Sequence, residues 1–322
     1  MKVFVTGGAG FLGAAVVTRL VARGDEVVAL ARKDASTLKL ARLGARPVPG
    51  DVTDSAVLAV GMSGADVVMH IAGDYRVGIK ESEHEAMFLT NVDGTTLVLD
   101  AAATSGAARI VYVSTVAVFG NTHGKVVDET YVRPDRDFLS YYDATKYMAH
   151  RIAKGRAASG APIVIVQPGQ IYGPGDHSEF GAQLEQVAKG KYRMRMFPEL
   201  GVTMSYLDDV AEGLLLAAGE GRPGEAYVLG GEVARLGDLV DRVADLTGHK
   251  RARWTMPAGM MRAAAPLGSV VGPLTGTGAN LRETIRASDD VTYWASSDKA
   301  KRELGYAPRS LDDGLRDLLA AR

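Results

Sequence analysis

The segment VFVTGGAGFLG, residues 3–13, decides the fold that this sequence predicts. An apolar run typical of a buried strand leads into Gly7, Gly10 and Gly13, which follow a G-x-x-G-x-x-G spacing, and a helical pattern comes next. Glycine lets a backbone approach a pyrophosphate closely, and the first N–H groups of a helix attract that anion. Because the spacing lies between a strand and a helix, it predicts a dinucleotide-binding loop.

The first half of the chain alternates short apolar runs with helical patterns. The runs are nearly continuous in Val, Ile and Ala, which is typical of strands covered on both faces. Strands separated by helices predict right-handed βαβ units and a parallel sheet. The predicted strands are residues 2–6, 26–31, 47–48, 65–71, 110–114 and 163–167, and the predicted helices are residues 13–23, 88–105 and 141–158.

After Pro168 this alternation fades, and amphipathic helices are predicted at residues 236–247 and 311–321. We therefore expect an α/β fold: a Rossmann-type doubly wound parallel sheet with a smaller C-terminal α+β substrate domain. The expected dinucleotide-binding domain is residues 1–172 with residues 201–231 returning to it, and the expected substrate domain is residues 173–200 and 232–322.

The composition excludes several classes of protein. The chain has 322 residues, enough for about two domains, and a net charge of −1, which argues against non-specific nucleic-acid binding. The absence of cysteine excludes disulfides, thiolate metal sites and a cysteine nucleophile, and the six histidines lack metal-ligand spacing. No leader pattern precedes the first strand, and Arg262 and prolines interrupt the apolar residues 256–274. We expect a cytoplasmic protein with no metal, membrane or nucleic-acid partner.

The end of the second predicted strand indicates which dinucleotide binds. Arg32 and Lys33 stand there, where an acidic residue usually holds the ribose 2′-hydroxyl of NAD. Because arginine pairs well with a phosphate, we predict NADP(H) as the preferred cofactor and NAD(H) as the alternative. Asp51, after the third strand, accepts a hydrogen bond from the adenine amino group or caps the next helix, for which Thr53 or Asp54 is the alternative cap.

Hydroxyl and amine groups suited to acid–base chemistry follow further along the chain. Ser114 and Thr115 end the strand at residues 110–114, and either hydroxyl could hydrogen-bond a reacting oxygen. Tyr142 and Lys146 have the i,i+4 spacing that places two side chains on one face of a helix. Since a nearby ammonium lowers the pKa of a phenol, we expect Tyr142 to act as an acid or base near neutral pH.

Four more segments carry a resemblance to a known family: residues 70–73 (HIAG), 91–95 (NVDGT), 168–176 (PGQIYGPGD) and 298–306 (DKAKRELGY). With them, the sequence resembles the extended short-chain dehydrogenases/reductases of the NAD-dependent epimerase/dehydratase family over nearly its whole length. It is most similar to dihydroflavonol-reductase-like proteins and hopanoid-associated sugar epimerases, a likeness that residues 74–76 (DYR) support.

The resemblance implies a role for each matching position. Tyr142 is the expected catalytic acid or base, and Lys146 is expected to hold the nicotinamide ribose and to tune the tyrosine. The family's spacing to the following glycine turn selects Thr115, rather than Ser114, as the catalytic hydroxyl. Asn91 either completes a catalytic tetrad through a structural water or has a role at the start of a helix.

The resemblance also implies the walls of the cofactor site. Ala72 and Gly73 are expected beside the adenosine, and Pro168 and Gly169 beside the nicotinamide. The complete expected set is Gly7, Gly10, Phe11, Leu12, Gly13, Arg32, Lys33, Asp51, Val52, Ile71, Ala72, Gly73, Ser114, Lys146, Pro168, Gly169 and Ile171.

Two departures from the family's pattern limit which of its reactions we expect this chain to catalyse. Sugar-nucleotide dehydratases of this family carry an acidic pair where this chain has Val116 and Ala117, which argues against elimination of water. Nucleotide-sugar epimerases carry a diphosphate-binding arginine that residues 202–209 lack, although Arg193 and Arg195 lie near enough in sequence to substitute.

The second half of the chain is rich in large apolar side chains, which form either a pocket for an apolar carbonyl compound or ordinary core. They are Met194, Met196, Phe197, Met204, Tyr206, Trp254, Met256, Met260 and Met261. The predicted function is an NAD(P)(H)-dependent oxidoreductase that reduces a ketone or aldehyde. The alternatives are an NAD-dependent nucleotide-sugar epimerase and a non-catalytic dinucleotide sensor. The family also implies a homodimer formed through helices 88–105 and 141–158.

Overall fold

The computed structural model describes residues 1–134, 136–264 and 279–321. The strands are β1 (Lys2–Thr6), β2 (Glu26–Ala31), β3 (Arg46–Pro49), β4 (Val67–His70), β5 (Arg109–Val113), β6 (Ile163–Pro168), β7 (Gln170–Tyr172), β8 (Met194–Arg195), β9 (Gly201–Tyr206), β10 (Ala226–Leu229), β11 (Val233–Arg235), β12 (Trp254–Thr255) and β13 (Thr292–Tyr293). The α-helices are α1 (Phe11–Ala22), α2 (Asp34–Arg42), α3 (Ser55–Met62), α4 (His84–Phe88), α5 (Gly94–Thr104), α6 (Tyr141–Ala158), α7 (Glu179–Ala188), α8 (Leu207–Gly219), α9 (Leu236–Leu246), α10 (Ala258–Ala264), α11 (Leu281–Ser288), α12 (Asp298–Leu304) and α13 (Leu311–Ala320).

Seven strands form one sheet in the order β10-β6-β5-β4-β1-β2-β3. Every pair in it is parallel, and Val3 of β1 lies opposite Val27 on one side and Val67 on the other. The strand order reverses at β1. The carboxyl ends of β1 and β4 therefore form the switch point at which such sheets bind ligands. The predicted doubly wound Rossmann fold is confirmed.

Both faces of this sheet are buried, which explains the continuous apolar runs in the sequence. Successive strand residues point to opposite faces. Val5 shares a core with Val16 of α1 and Leu214 of α8, whereas Phe4 shares the opposite core with Leu58 of α3. The two helical layers hold the sheet from both sides and leave its carboxyl edge open.

A second, four-stranded sheet adjoins that edge. Its centre is β9, which pairs antiparallel with β11 and parallel with β7 and β13. Only Gly169 separates β6 of the large sheet from β7, so the second sheet begins where the switch-point edge ends. Helices α7, α9 and α13 cover it with a core that includes Leu184, Leu239 and Leu315.

Most predicted elements lie close to the observed ones, and helix α6 coincides with the predicted residues 141–158. The predicted helix at 88–105 is irregular, because a π-helical turn at Leu89–Asp93 comes before α5. The division of the chain into two domains stays a prediction. Within the described ranges, no helix combines the length and hydropathy needed to cross a bilayer. Part of the apolar stretch 256–274 lies outside those ranges.

Candidate active site

One cavity of about 1590 Å³ runs from the glycine loop, across the carboxyl edge of the large sheet, to the second sheet. Every residue predicted for the cofactor site lines it, as do Thr115, Tyr142 and Lys146. Asn91 is the one predicted site residue that does not. The fold therefore brings together in one cavity residues that lie far apart in the sequence, from Gly7 to Ile171.

The glycine loop packs closely against the start of α1. A Cβ atom on Gly13 would lie 2.1 Å from the Gly7 carbonyl oxygen, so the loop and α1 can approach this closely only with glycine there. Gly7 itself has a φ of +73°, which favours glycine. No side chain caps α1 at Gly10, so the first N–H groups of the helix, from Phe11 and Leu12 onward, are left to bind an anion.

Three cationic side chains line the cavity near the glycine loop, at the end where the adenosine is expected and which we call the adenosine end. Arg32 is 64% exposed, and its Nη1 lies 4.0 Å from a carboxylate oxygen of Asp51. Lys33 precedes α2, and the Nζ of Lys39 donates a hydrogen bond of 2.9 Å to the Ala9 carbonyl of the glycine loop. Lys39 lines the cavity with Lys33, and our sequence analysis missed it. No local pattern marked Lys39, since its contact with the glycine loop depends on how α2 packs beside that loop.

The question of which residue caps α3 is settled by its hydrogen bonds. Asp54 accepts the N–H groups of Ala56 and Val57, each at 3.1 Å, and is therefore the cap. Asp51 instead accepts hydrogen bonds from the N–H and hydroxyl of Thr53 and lines the cavity. A hydrogen bond from Asp51 to the adenine stays a prediction.

Tyr142 and Lys146 both lie on α6, and the amine of Lys146 bonds to groups of β5. Its Nζ donates to the Val113 carbonyl at 2.9 Å and lies 3.5 Å from the Tyr112 hydroxyl. Burial raises the pKa of Tyr142, and a hydrogen bond with the Thr115 hydroxyl opposes that rise. The expectation that Lys146 lowers this pKa is wrong for the chain by itself. Burial lowers the pKa of Lys146 to about 8.

The structure separates the two candidate hydroxyls. The Ser114 hydroxyl lies 2.9 Å from Nδ1 of His150, and burial lowers the pKa of His150 to about 3, so the imidazole is neutral. The Thr115 hydroxyl faces Tyr142 and also accepts the N–H of Ala117 at 3.1 Å. Thr115, and not Ser114, therefore shares the space around the phenol.

Asn91 holds the backbone beside the cavity. It lies in the π-helical turn, where its Oδ1 accepts the Asp74 N–H at 2.7 Å and its Nδ2 donates to the Asp74 carbonyl at 3.0 Å. A third hydrogen bond, of 3.1 Å, joins Nδ2 to the Thr145 hydroxyl of α6. Asn91 thus ties the loop after β4 to the helix that carries Tyr142.

A buried ion pair that the sequence analysis missed fixes the start of the same helix. Arg133 donates to Asp143 at 2.9 Å, and both side chains are almost completely buried. Asp143 also accepts the N–H of Leu139. The pair therefore locks the loop before α6 onto the residue next to Tyr142.

The other end of the cavity is lined by apolar and polar side chains, and the uncharged polar ones include Ser178, Gln183, Gln186 and Ser288. Tyr75 packs its ring edge-on against Tyr142, with 4.9 Å between centroids, and borders this end. Asp176 and Glu179 also line it, and burial raises the pKa of Glu179. The apolar and aromatic lining residues at this end are Val77, Phe180, Tyr192, Met196, Phe197, Leu200, Val202, Leu236, Ala287 and Tyr293.

The apolar residues singled out in the sequence divide into three groups. Met196 and Phe197 line the cavity. Met204, Tyr206 and Met261 are buried in core clusters, and Met256 packs partly buried beside one. Met194, Trp254 and Met260 are exposed. Part of the set is therefore core and part lines the cavity, and a role in binding a carbonyl compound stays a prediction.

The arginines considered as diphosphate ligands lie elsewhere. Arg195 forms an ion pair with Asp241 of α9, Arg193 is exposed, and neither lines the cavity. The lysines and arginines among the described lining residues are Arg32, Lys33, Lys39 and Lys146. Three of these four lie at the adenosine end.

Known proteins resemble this chain in sequence and in structure. The sequence profile of the NAD dependent epimerase/dehydratase family matches residues 3–230. A 4-hydroxy-2-methyl-3-oxo-4-farnesyl-3,4-dihydroquinoline-1-oxide ketoreductase of Stigmatella aurantiaca is 34% identical over 96% of this chain and 92% of its own length. The sterol demethylase protein B of Methylococcus capsulatus is 30% identical over 98% of this chain and 92% of its own.

A solved structure adds a view of the cofactor in a related fold. A double mutant of the dTDP-glucose 4,6-dehydratase DesIV of Streptomyces venezuelae, solved with NAD bound, superposes with a TM-score of 0.79 and 26% identity. The match covers 100% of this chain and 96% of that one. The resemblance to extended short-chain dehydrogenases/reductases is confirmed.

Proposed function

The chain belongs to the NAD dependent epimerase/dehydratase family, and from that premise we propose that it is an NADP(H)-dependent reductase of neutral, largely apolar ketones or aldehydes. The observation that carries this proposal is the uneven distribution of charge in the cavity. The glycine loop and three of the four described cations lie at one end, whereas the end beyond Tyr142 is lined by apolar and uncharged polar side chains with two carboxylates and none of the four cations.

This distribution argues for an uncharged substrate. A nucleotide sugar would bring a diphosphate next to Asp176 and Glu179, with no arginine or lysine among the described lining residues of that end to neutralise it. The carboxylate of an acidic substrate would also be repelled by Asp176 and Glu179, but less strongly than a diphosphate because it carries less charge. Apolar walls stabilise a neutral substrate by removing its hydrocarbon surface from water.

The residues around Tyr142 supply the acid for carbonyl reduction. The bound nicotinamide supplies the hydride. Because its pKa is raised, Tyr142 keeps its proton until the carbonyl oxygen gains negative charge, and it then donates that proton to the developing alkoxide. Thr115 donates a second hydrogen bond to the same oxygen. Lys146, on the same helix face, holds the nicotinamide ribose.

Preference for NADP(H) rests on Arg32 with Lys33 and Lys39, which place three cations beside the adenosine end of the cavity. We expect Arg32→Gln to weaken NADPH binding about tenfold or more, since a charge-assisted hydrogen bond contributes about 1.5–3 kcal/mol, and to leave NADH binding unchanged. Fluorescence titration of both cofactors measures this. Arg46→Gln, on an exposed arginine outside the cavity, is the control. Equal loss for both cofactors would contradict the assignment of Arg32.

A substrate series tests the reaction itself. We expect NADPH consumption with a long-chain methyl ketone and at least several-fold less with a 3-oxoalkanoate of equal chain length. An epimerase would instead retain NAD through purification and interconvert UDP-sugars without consuming NADPH, and a sensor would bind cofactor with no turnover. Either of these results would replace the reductase by one of the alternatives.

Three further features belong to the same proposal. The second sheet and its helices, residues 173–200 and 232–322, would form the substrate domain. A homodimer would form through α5 and α6, next to which Leu89 and Met148 are exposed apolar side chains. The protein would be located in the cytoplasm. Light scattering that finds a monomer at micromolar concentration would remove the dimer.

A further inference from the structure

An exposed strip of basic and apolar residues lies on the outside of the wall that encloses the end of the cavity beyond Tyr142. It comprises Lys191, Arg193, Met194, Lys250, Arg253 and Trp254, which we call the basic–aromatic surface. Trp254 is 74% exposed and Met194 38%. The four cations are all exposed.

The geometry of two short strands brings this surface together. β8 and β12 pair in parallel with Trp254 opposite Met194, and residues in register project from the same face. The turns before the strands also pack together, because a Cβ atom on Gly190 would lie 2.8 Å from Nδ1 of His249. The opposite face turns towards α9, where Arg195 pairs with Asp241. One face of the strand pair is therefore left exposed, with Met194 and Trp254 on it.

The charge on this surface is not compensated within the described part of the chain. The side chains of Lys191, Arg193, Lys250 and Arg253 form no ion pair or hydrogen bond there, although the chain as a whole has a net charge of −1. The acidic residues that lie close in sequence are already paired: Glu185 with Lys189, Asp241 with Arg195, and Asp245 with Arg251. The surface is thus locally cationic and complements an anionic partner.

The surface is continuous with the cavity wall. Tyr192 and Met196, on either side of Met194 in the chain, both line the cavity, and the Tyr192 hydroxyl accepts the N–H of Met196 at 3.1 Å. The segment that carries Met194 on the exposed face therefore also contributes to the cavity lining.

We propose that the basic–aromatic surface docks this protein onto an anionic lipid bilayer. Tryptophan is enriched where proteins meet the bilayer interface, because its ring is apolar and its N–H is polar. Lysine and arginine flanking such a residue are attracted by anionic headgroups, and the cytoplasmic leaflet carries them. This proposal goes beyond the reductase function and departs from the expectation of no membrane partner. Only its purpose, loading an apolar substrate from the bilayer, rests on the proposed function.

The fluorescence of Trp254 tests docking directly. The chain has two tryptophans, so Trp294→Phe leaves Trp254 as the sole indole reporter. We expect its emission to shift to the blue, and the protein to sediment with vesicles, when about a third of the phosphatidylcholine is replaced by phosphatidylserine. We expect no shift with phosphatidylcholine alone and a loss of the shift at high salt.

A charge-matched pair of variants locates the surface. Each basic residue near an anionic membrane contributes about fivefold to binding, so Lys250→Glu with Arg253→Glu should weaken vesicle binding by at least about 25-fold. Arg42→Glu with Arg46→Glu makes the same charge change at two exposed arginines near β3 and should weaken it much less. Reduction of a water-soluble ketone should be unchanged in both, which checks that the variants fold.

Three outcomes would overturn the proposal. The first is no blue shift and no sedimentation with anionic vesicles, and the second is equal loss in both charge variants. The third is a blue shift that rises with protein concentration without lipid, which would make the surface a contact between two copies of the chain. If the protein binds vesicles but reduces no carbonyl compound, the docking proposal stands and the reductase proposal fails. The two proposals can therefore fail separately.

Discussion

The two ends of the cavity are built in different ways. The cofactor end consists of loops that each follow one parallel strand, such as residues 7–13 after β1 and residues 71–73 after β4. Gly7, Gly10, Gly13 and Gly73, which present only backbone atoms, line it. The substrate end is assembled from side chains of separate segments, including Glu179 and Phe197, and it carries no contiguous motif. Cofactor binding therefore depends on backbone geometry, whereas substrate choice depends on individual side chains that can be exchanged.

The largest effect is expected where the two ends meet. Tyr142→Phe removes the proton donor and leaves the ring in place, so turnover should fall by about 10²–10⁴-fold. The dissociation constant of NADPH should stay the same, because the glycine loop and the cationic residues are untouched. Single-turnover kinetics and a fluorescence titration measure the two quantities. Turnover within tenfold of wild type would remove Tyr142 from the mechanism.

The next test disturbs the backbone of the cofactor end alone. Gly13→Ala places a methyl group 2.1 Å from the Gly7 carbonyl oxygen, so the loop has to move. Overpacking of this kind costs about 1–3 kcal/mol, and we expect NADPH and NADH to bind about 10–100-fold more weakly to the same degree.

Gly155→Ala is the matched control for that test. Gly155 lies in α6 with no atom within 4 Å of a Cβ built on it, so alanine should leave cofactor binding unchanged and raise stability slightly. If Gly13→Ala bound both cofactors normally, the close approach of loop and helix would not matter for binding.

The substrate end should respond to one charge without any effect on the cofactor. Glu179→Lys places a cation beside the apolar lining, and kcat/KM for a 3-oxoalkanoate should rise about fivefold to tenfold relative to the ketone of equal length. Glu185→Lys makes the same change on the same helix at an exposed residue that does not line the cavity, and should alter neither. An unchanged ratio in both variants would mean that the substrate's charged group binds elsewhere.

The difference between the two ends also explains how much the sequence could predict. The glycine loop, Arg32 and the Tyr142–Lys146 pair are local in sequence, and local patterns are what a single sequence displays. The bond from Lys146 to the Val113 carbonyl was not predicted, because it depends on how α6 lies on β5. The sequence could not predict that Met196 lines the cavity whereas Met204 is buried in the core, since burial on a second sheet depends on tertiary packing.

The smallest effect tests whether the charge on Lys146 contributes to cofactor binding. Burial disfavours the ammonium and lowers its pKa from 10.5 to about 8, so the amine is largely neutral above that pH in the folded chain. A neutral amine has one N–H donor fewer and no charge, so we expect the dissociation constant of NADPH to rise a few-fold between pH 7 and about pH 9.5. The raised pKa of Tyr142 and the low pKa values of His70 and His150 keep those groups in one protonation state across this range.

Lys146→Gln provides the control, because glutamine does not titrate. Its affinity should be weaker at pH 7 and flat with pH. The lowered pKa of Lys146 also predicts how the free energy of unfolding changes with pH. Because the unfolded chain binds the proton more tightly, this free energy should rise from pH 8 to about 10.5 in wild type relative to the variant. A pH-dependent affinity in Lys146→Gln would assign the titration to another group. Tyr142 would then be the one substituted residue that acts where the two ends of the cavity meet.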